Sequence, residues 1–348
     1  MAVDQLKTVL LGRTAEQLRA VHDSALNTML APDVRRANVI GLALGIKWTG
    51  GQPTGEPAVL VLVTHKADPQ TIRPRDRVPT VVDGVKTDVL AVGRPMAGAV
   101  TSGSPDQTLT RRIRPVKGGY SVGHKDITAG TVATAVYDML PGSTISPPGS
   151  GTGVPQHYYI LSNNHILANG NAAAIGDAIL QPGPYDGGTL PDDQIATLSR
   201  FVPIAFAPDV PVEQHNNIVD AAVAMTSIAD VDRELHWVGR VRGWRPKANV
   251  NVGTVVQKVG RSSGFTTGMI TAVNATIDIG YGGNKMARLQ DQILTTPMSS
   301  PGDSGSLVAT MDGVAVGLLC AGSPASMVAN QIENVRSQLW VEVAEQVL

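Results

Sequence analysis

Pro301-Gly302-Asp303-Ser304-Gly305-Ser306 stands immediately before the apolar run Leu307-Val308-Ala309. Glycines on both sides of an Asp-Ser pair suit a tight loop whose backbone N–H groups turn inward while the serine hydroxyl stands clear. A serine nucleophile beside an oxyanion hole needs such a loop. A serine hydroxyl alone is a weak nucleophile, so the chemistry requires a base and an orienting acid elsewhere in the chain.

The base is sought among seven histidines. Tyr158-Tyr159-Ile160-Leu161-Ser162-Asn163-Asn164-His165-Ile166-Leu167 reads as a β-branched and aromatic strand that delivers His165 where a turn begins. His22 falls in a helical pattern, His65 in an early strand-like segment, His157 at the start of the same strand and His215 in a polar loop. His165 is therefore the candidate base. The acid candidate is Asp220 in Asn216-Asn217-Ile218-Val219-Asp220-Ala221-Ala222-Val223. A carboxylate amid apolar residues is costly to bury unless it is paired, and one accepting the Nδ1–H of a histidine would fix its tautomer. Capping of a turn at a strand start is the alternative role for it. Asp186, Asp192, Asp193 and Asp230 lie in Gly/Pro-rich or polar loops and read as solvated.

With these three placed, the chain resembles the chymotrypsin-like (trypsin-fold) serine proteases in the order His165, Asp220, Ser304 and in the GDSGS loop. The Leu-Ser-Asn-Asn-His wording is nearer to disulfide-free bacterial members such as the HtrA-type proteases. It is similar above all to bacterial trypsin-like proteins related to the plant narrow-leaf protein. These share an SNNH segment, a VDAA-like segment, the GDSG loop and a Gly-Arg-Ser/Thr-rich segment, here Val259-Gly260-Arg261-Ser262-Ser263-Gly264-Phe265-Thr266-Thr267-Gly268. The resemblance covers roughly residues 115–330.

The resemblance implies a mainly β chymotrypsin-like double β-barrel, with His and Asp from the first barrel and Ser from the second. It implies a serine endopeptidase working through an acyl-enzyme, with Gly302 and Ser304 N–H groups as the oxyanion hole. Asp303 is expected to have an internal partner, since no zymogen-activation sequence is visible. Met298 takes the floor position of the substrate pocket, and Leu319, Cys320, Ala321, Gly322 and Ser323 its wall. An uncharged floor points away from basic side chains at the scissile bond. Two other readings stay open: a pseudoprotease that binds partners, and an esterase using the same triad. A site latent until activated is compatible with the same residues.

Composition agrees with this reading. Gly (37) and Pro (23) are abundant in the 348 residues and aromatics scarce, which suits many short strands and turns. A net charge of −1 gives no attraction for nucleic acid or an anionic membrane. The cluster Arg111, Arg112, Arg114 and Lys117 reads as a solvated linker. One cysteine, Cys320, permits no intramolecular disulfide and reads as a packing residue; with no signal peptide visible, a cytoplasmic, reducing setting is expected. No apolar stretch approaches a membrane span. No cofactor or metal is called for. The acidic loop 176–188 falls short of a calcium-loop spacing, and Gly260–Gly268 of a phosphate loop, reading instead as strand–turn–strand.

Ahead of the protease region, Thr14-Ala15-Glu16-Gln17 is a capping-box pattern followed by Leu18, Val21, Ala25 and Met29 on one helical face, with Pro32 ending it. Strand-like segments follow at Val39–Trp48 and Ala58–His65, and Asp83-Gly84 signals a type I′ hairpin within Pro79–Val92. The organisation expected is an α+β accessory domain over 1–98, a linker over 99–118 and a protease domain over 119–348. Within the last, the His/Asp barrel spans about 119–230, the Ser barrel about 231–330 and a closing helix about 331–348, carrying Ile332, Val335, Leu339, Val343 and Val347 on one face. The partner is a polypeptide substrate; monomer and closed homo-oligomer both remain open.

Overall fold

A computed structural model describes residues 15–49, 52–68, 70–97, 108–127, 129–140, 142, 153 and 155–348. Thr14 of the capping-box pattern and the first part of the linker, residues 99–107, lie outside the described residues.

Two β bodies carry the chain. In the second, six strands close into a ring: Val255–Gly260, Leu307–Thr310, Val314–Gly322, Met327–Gln331, Met286–Thr295 and Gly264–Gly280, with the last pairing back onto the first. This is the serine-bearing barrel. The first body is an eight-stranded sheet that includes Tyr158–Ser162 and Ala222–Thr226 paired antiparallel. The molecule is mainly β, as expected, with a closed six-stranded barrel carrying Ser304 and an eight-stranded sheet in the first body.

The N-terminal strands extend the serine barrel's own sheet. Val39–Thr49 pairs with Gln52–Val63 on one side and with Gly264–Gly280 on the other. The apolar run Val59 to Val63 alternates between two cores, as a period-2 strand buried on both faces must. Leu60 and Leu62 join Ala272, Ile277, Leu289 and Cys320, whereas Val59, Val61 and Val63 meet Val21, Ala25 and Met29 of the helix Ala15–Met29. Asp83 and Gly84 both have positive φ, the geometry of the expected type I′ turn.

Two expectations are corrected. The closing helix is short, Ile332–Leu339; Trp340 turns left-handed and Val341–Glu342 pairs as a strand with Ala135–Asp138 of the first body. Val343, just past that strand, is buried in an apolar cluster with Val335 and Leu339 and not on a continued helical face, and Glu342 holds Arg336 in a buried ion pair. β-Branched Val341 and Val343 suit that state better than a helix. Asp186 is also not solvated. Its carboxylate pairs with buried Arg261 and accepts from Ser121.

The basic linker cluster is partly engaged as well. Arg112 pairs with Asp193, Arg114 bonds Gln181, and Lys117 sits in the strand Val116–Gly118 beside Glu234. No helix of the described residues is long and apolar enough to cross a membrane.

Candidate active site

Strand register brings Asp220 to His165. Ala222 lies opposite Ser162, so continuing the antiparallel pair by two residues sets Asp220 against Asn164, next to His165. His165 sits in the one-turn helix Asn164–Leu167 that follows the strand. Its Nδ1 is 2.5 Å from Asp220 Oδ2, and its own N–H donates to Asp220 Oδ1 at 3.2 Å. With the carboxylate on Nδ1, the proton is assigned there and Nε2 is left as the acceptor. Nε2 is buried and has no hydrogen-bond partner among the described residues.

The two asparagines before His165 are structural. Asn163 Nδ2 donates to Asp220 O at 2.7 Å, and Asn164 Nδ2 donates to Asn171 Oδ1 and Val202 O. From the serine barrel, buried Asn330 binds the same aspartate's backbone. Asp220 N–H donates to Asn330 Oδ1 at 3.0 Å, while Asn330 Nδ2 donates to Asp220 O and Leu318 O. Tyr281 OH donates to Asp220 Oδ2 at 3.1 Å. Burial and the neighbouring Asp220 charge hold the Tyr281 phenol well above its ordinary pKa, so it remains a donor.

Ser304 lies on the loop between Met286–Thr295 and Leu307–Thr310, 5 % exposed, and lines one cleft with His165. Its Oγ makes no hydrogen bond to His165 Nε2. Such contacts commonly tighten only when substrate is bound. The N–H groups of Asp303, Gly305 and Ser306 donate to the carbonyls of Ser300, Leu319 and Asp303. Those of Gly302 and Ser304 donate to no acceptor among the described residues. Gly302 and Gly305 have φ of 97° and 93°, and a Cβ on Gly305 would lie 2.0 Å from Ser162 Oγ. The loop is therefore pressed onto the first body where only glycine fits. Thr131 fastens the same junction: its N–H donates to Ser304 O and its hydroxyl to Gly302 O.

Asp303 has the internal partner that was expected. Lys258 Nζ is 2.8 Å from Asp303 Oδ2, with both side chains fully buried. The carboxylate also accepts from the N–H groups of Ser262, Ser263 and Ser300 and from Ser263 Oγ. Burial lowers the Lys258 pKa, and Asp303 opposes that shift. The Gly260–Gly268 segment is thus a hairpin turn whose tip cups Asp303.

Of the six residues expected to form the substrate pocket, Leu319, Gly322 and Ser323 line the cleft. Met298 is buried in an apolar cluster with Val256, Val308 and Leu319, and Cys320 and Ala321 in another with Ile277 and Leu289. Burial, with Asp220 nearby, raises the Cys320 thiol well above its ordinary pKa, which makes it a packing residue. The cleft, about 1140 Å³, is walled by Ser299, Ser300, Leu319, Ser323 and Pro324, with Arg94 and Lys285 as its cations. Asp126 is its one carboxylate among the described residues. Among the described residues no group of three or more His, Cys, Asp or Glu side chains is placed to hold a metal ion.

Lys258, Asn330 and Tyr281 were not singled out from sequence. Lys258 and Asn330 carry the signal that marked Asp220, a polar residue inside an apolar strand: Val255-Val256-Gln257-Lys258-Val259 and Met327-Val328-Ala329-Asn330. Tyr281 carries no such signal.

Residues 17–92 match the NARROW LEAF 1 N-terminal domain family. No curated protein sequence matches the chain. Among solved structures, Thermobifida fusca Protease A is similar at 14 % identity and a TM-score of 0.44, over 66 % of this chain and 98 % of that one. Cellulomonas bogoriensis chymotrypsin matches at 16 % identity and 0.41, over 66 % and 99 %. The HtrA-type protease AlgW with tripeptide matches at 17 % and 0.36, over 67 % and 62 %. At these identities the likeness concerns the fold alone.

Proposed function

We propose that the protein is a serine peptidase that hydrolyses polypeptide amide bonds through an acyl-enzyme. The observation that carries this reading is the 2.5 Å contact of His165 Nδ1 with buried Asp220, leaving a partnerless Nε2 in the cleft that Ser304 lines. His165 Nε2 takes the Ser304 hydroxyl proton as Oγ attacks the carbonyl carbon, and returns it to the leaving amine as the C–N bond breaks. Water then attacks the ester with the same histidine as base, releasing the acid and restoring Ser304. Asp220 stabilises the imidazolium without itself becoming protonated. The free N–H groups of Gly302 and Ser304 receive the oxyanion, each such donor being worth about 2.7–4 kcal/mol of barrier. Arg94 and Lys285 in the cleft disfavour a basic side chain at the scissile bond.

A fluorophosphonate probe should label the wild-type protein at Ser304, fail on Ser304→Ala and react at least a hundredfold more slowly with His165→Ala. Absence of wild-type labelling between pH 6 and 9 would overturn the reading. The unmade Ser304–His165 hydrogen bond favours a resting state that closes on substrate. A partner-binding scaffold would show no labelling at all, and an esterase would cleave esters while leaving casein intact.

A further inference from the structure

Arg94, Met96 and Ala97 line the same cleft as His165 and Ser304. They belong to the N-terminal region, and their backbone is fixed on both sides. Met96 N–H donates to Gly322 O and Gly322 N–H to Met96 O, both at 3.1 Å, an antiparallel bridge. On the opposite side Ala97 N–H donates to Gly280 O at 2.9 Å and Gly280 N–H to Pro95 O at 3.2 Å. Ser323 and Ser326 hydroxyls both donate to Val92 O, at 2.6 and 2.9 Å. Val92 and Ala97 are buried in the apolar cluster that holds Cys320 and Ala321.

The position of this bridge decides its consequence. The strand Val314–Gly322 passes the nucleophile loop at Leu319, whose C=O and N–H bond Gly305 and Ser306. It meets Met96 three residues later, roughly 10 Å along at about 3.3 Å per residue. An extended polypeptide that adds to a sheet edge needs that edge's N–H and C=O groups free. With its reactive carbonyl at Ser304, and Leu319 already bonded to the serine loop, a strand running antiparallel along Cys320–Ala321 reaches Met96 after two residues. Gly322 then has no groups left to offer. Displacing the segment would break four backbone and two hydroxyl hydrogen bonds and uncover Val92 and Ala97.

We infer that Pro95–Ala97 ends the acyl side of the cleft, so that strand pairing reads only the two residues before the scissile bond. This rests on Ser304 being the nucleophile. Selection is made by those two residues and by whatever follows the bond; residues further upstream add nothing.

The test is a series of acetyl-capped alanyl diphenyl phosphonates with one to five acyl-side residues, reacted with the full-length protein. Each second-order rate is divided by the fluorophosphonate rate of the same variant. Wild type should be flat within about twofold from two to five residues. Met96→Pro, which deletes the N–H donated to Gly322, should gain at least tenfold between two and four. A Ser323→Ala/Ser326→Ala variant, which frees Val92 O, should gain in the same direction and covers the case in which Met96→Pro does not fold. A tenfold rise with length in wild type overturns the inference, as does a flat series in every folded variant. Failure of fluorophosphonate to label Ser304 would instead overturn the assignment of the nucleophile.

Discussion

Lys258→Met tests what holds the Ser304 loop. Asp303 lies between Gly302 and Ser304, and its buried carboxylate accepts three backbone N–H groups, the Ser263 hydroxyl and the Lys258 ammonium at 2.8 Å. Removing one partner of a buried ion pair costs about 3–5 kcal/mol, since a charge is left uncompensated. Four neutral donors remain on Asp303, so the expected loss is at the lower end, about 3 kcal/mol. Asp303→Asn strands the ammonium instead, and Lys258 has only Ser263 Oγ and Gly264 O besides, so its loss should be at the upper end. In Lys258→Met/Asp303→Asn neither charge is stranded, and the double variant should be more stable than the summed singles by about 2 kcal/mol or more. Urea unfolding at pH 7 reads these costs. Fluorophosphonate labelling, under conditions where each variant is folded, should fall at least tenfold in both singles as the Gly302–Ser304 backbone loses its anchor. Additive costs across the cycle, or a Lys258→Met loss below about 1 kcal/mol, would show that the backbone donors alone hold the loop.

Asn330→Ala leaves Asp220 N–H without its buried acceptor and should cost about 1–3 kcal/mol in urea unfolding, with slower Ser304 labelling; unchanged values in both would refute the role. Gly305→Ala puts a Cβ 2.0 Å from Ser162 Oγ and 2.4 Å from Thr131 O at a φ of 93°, and should cost about 2–4 kcal/mol and abolish labelling. A Tm within a degree of wild type would contradict it. Tyr281→Phe tests the raised phenol pKa through alkaline stability. A folded pKa above the unfolded value means the contribution is complete below about pH 10 and is lost as pH rises towards the folded value. Wild type should therefore lose up to about 1.4 kcal/mol per pH unit more than Tyr281→Phe above pH 10, measured as unfolding free energy; parallel curves would refute it.

The serine loop, the histidine strand and the aspartate were legible because each breaks a local rule in a short window. A Gly-flanked serine, a histidine at a strand end and a carboxylate in an apolar run are all visible without long-range information. The partners that hold them were less so, since a lone polar residue in a strand does not say whom it meets. Lys258 reaches Asp303 only because the hairpin Val255–Gly280 folds its tip under the serine loop. The C-terminal helix was over-extended because Val335, Leu339, Val343 and Val347 keep helical spacing through the break. What overrides it is tertiary: Val341–Glu342 finds a strand partner in Tyr137–Asp138, and Glu342 finds Arg336. Met298, Cys320 and Ala321 do not line the cleft, for a related reason. Spacing from Ser304 located the right strand, but Cys320 and Ala321 are buried behind it in the core shared with the N-terminal strands.

That core explains why the N-terminal region and the site belong to one mechanical unit. The hairpin Val314–Gln331 holds Asp220 through Asn330 on one strand, and the N-terminal segment through Gly322, Ser323 and Ser326 at its turn. The same hairpin takes up the serine loop at Leu319. Val39–Thr49 meanwhile covers the edge of Gly264–Gly280, the strand that leads to Tyr281 and so to the Asp220 carboxylate. A displacement of the N-terminal strands would thus reach the acid from two directions, through its backbone and through its side chain. Removal of residues 1–98 is expected to uncover a sheet edge and strand the Ser323 and Ser326 hydroxyls. On the role proposed for Pro95–Ala97 it also opens the acyl side of the cleft. A change in activity after such a cut would therefore mix release of the cleft with loss of the aspartate's support, and point substitutions at Met96 and Asn330 separate the two.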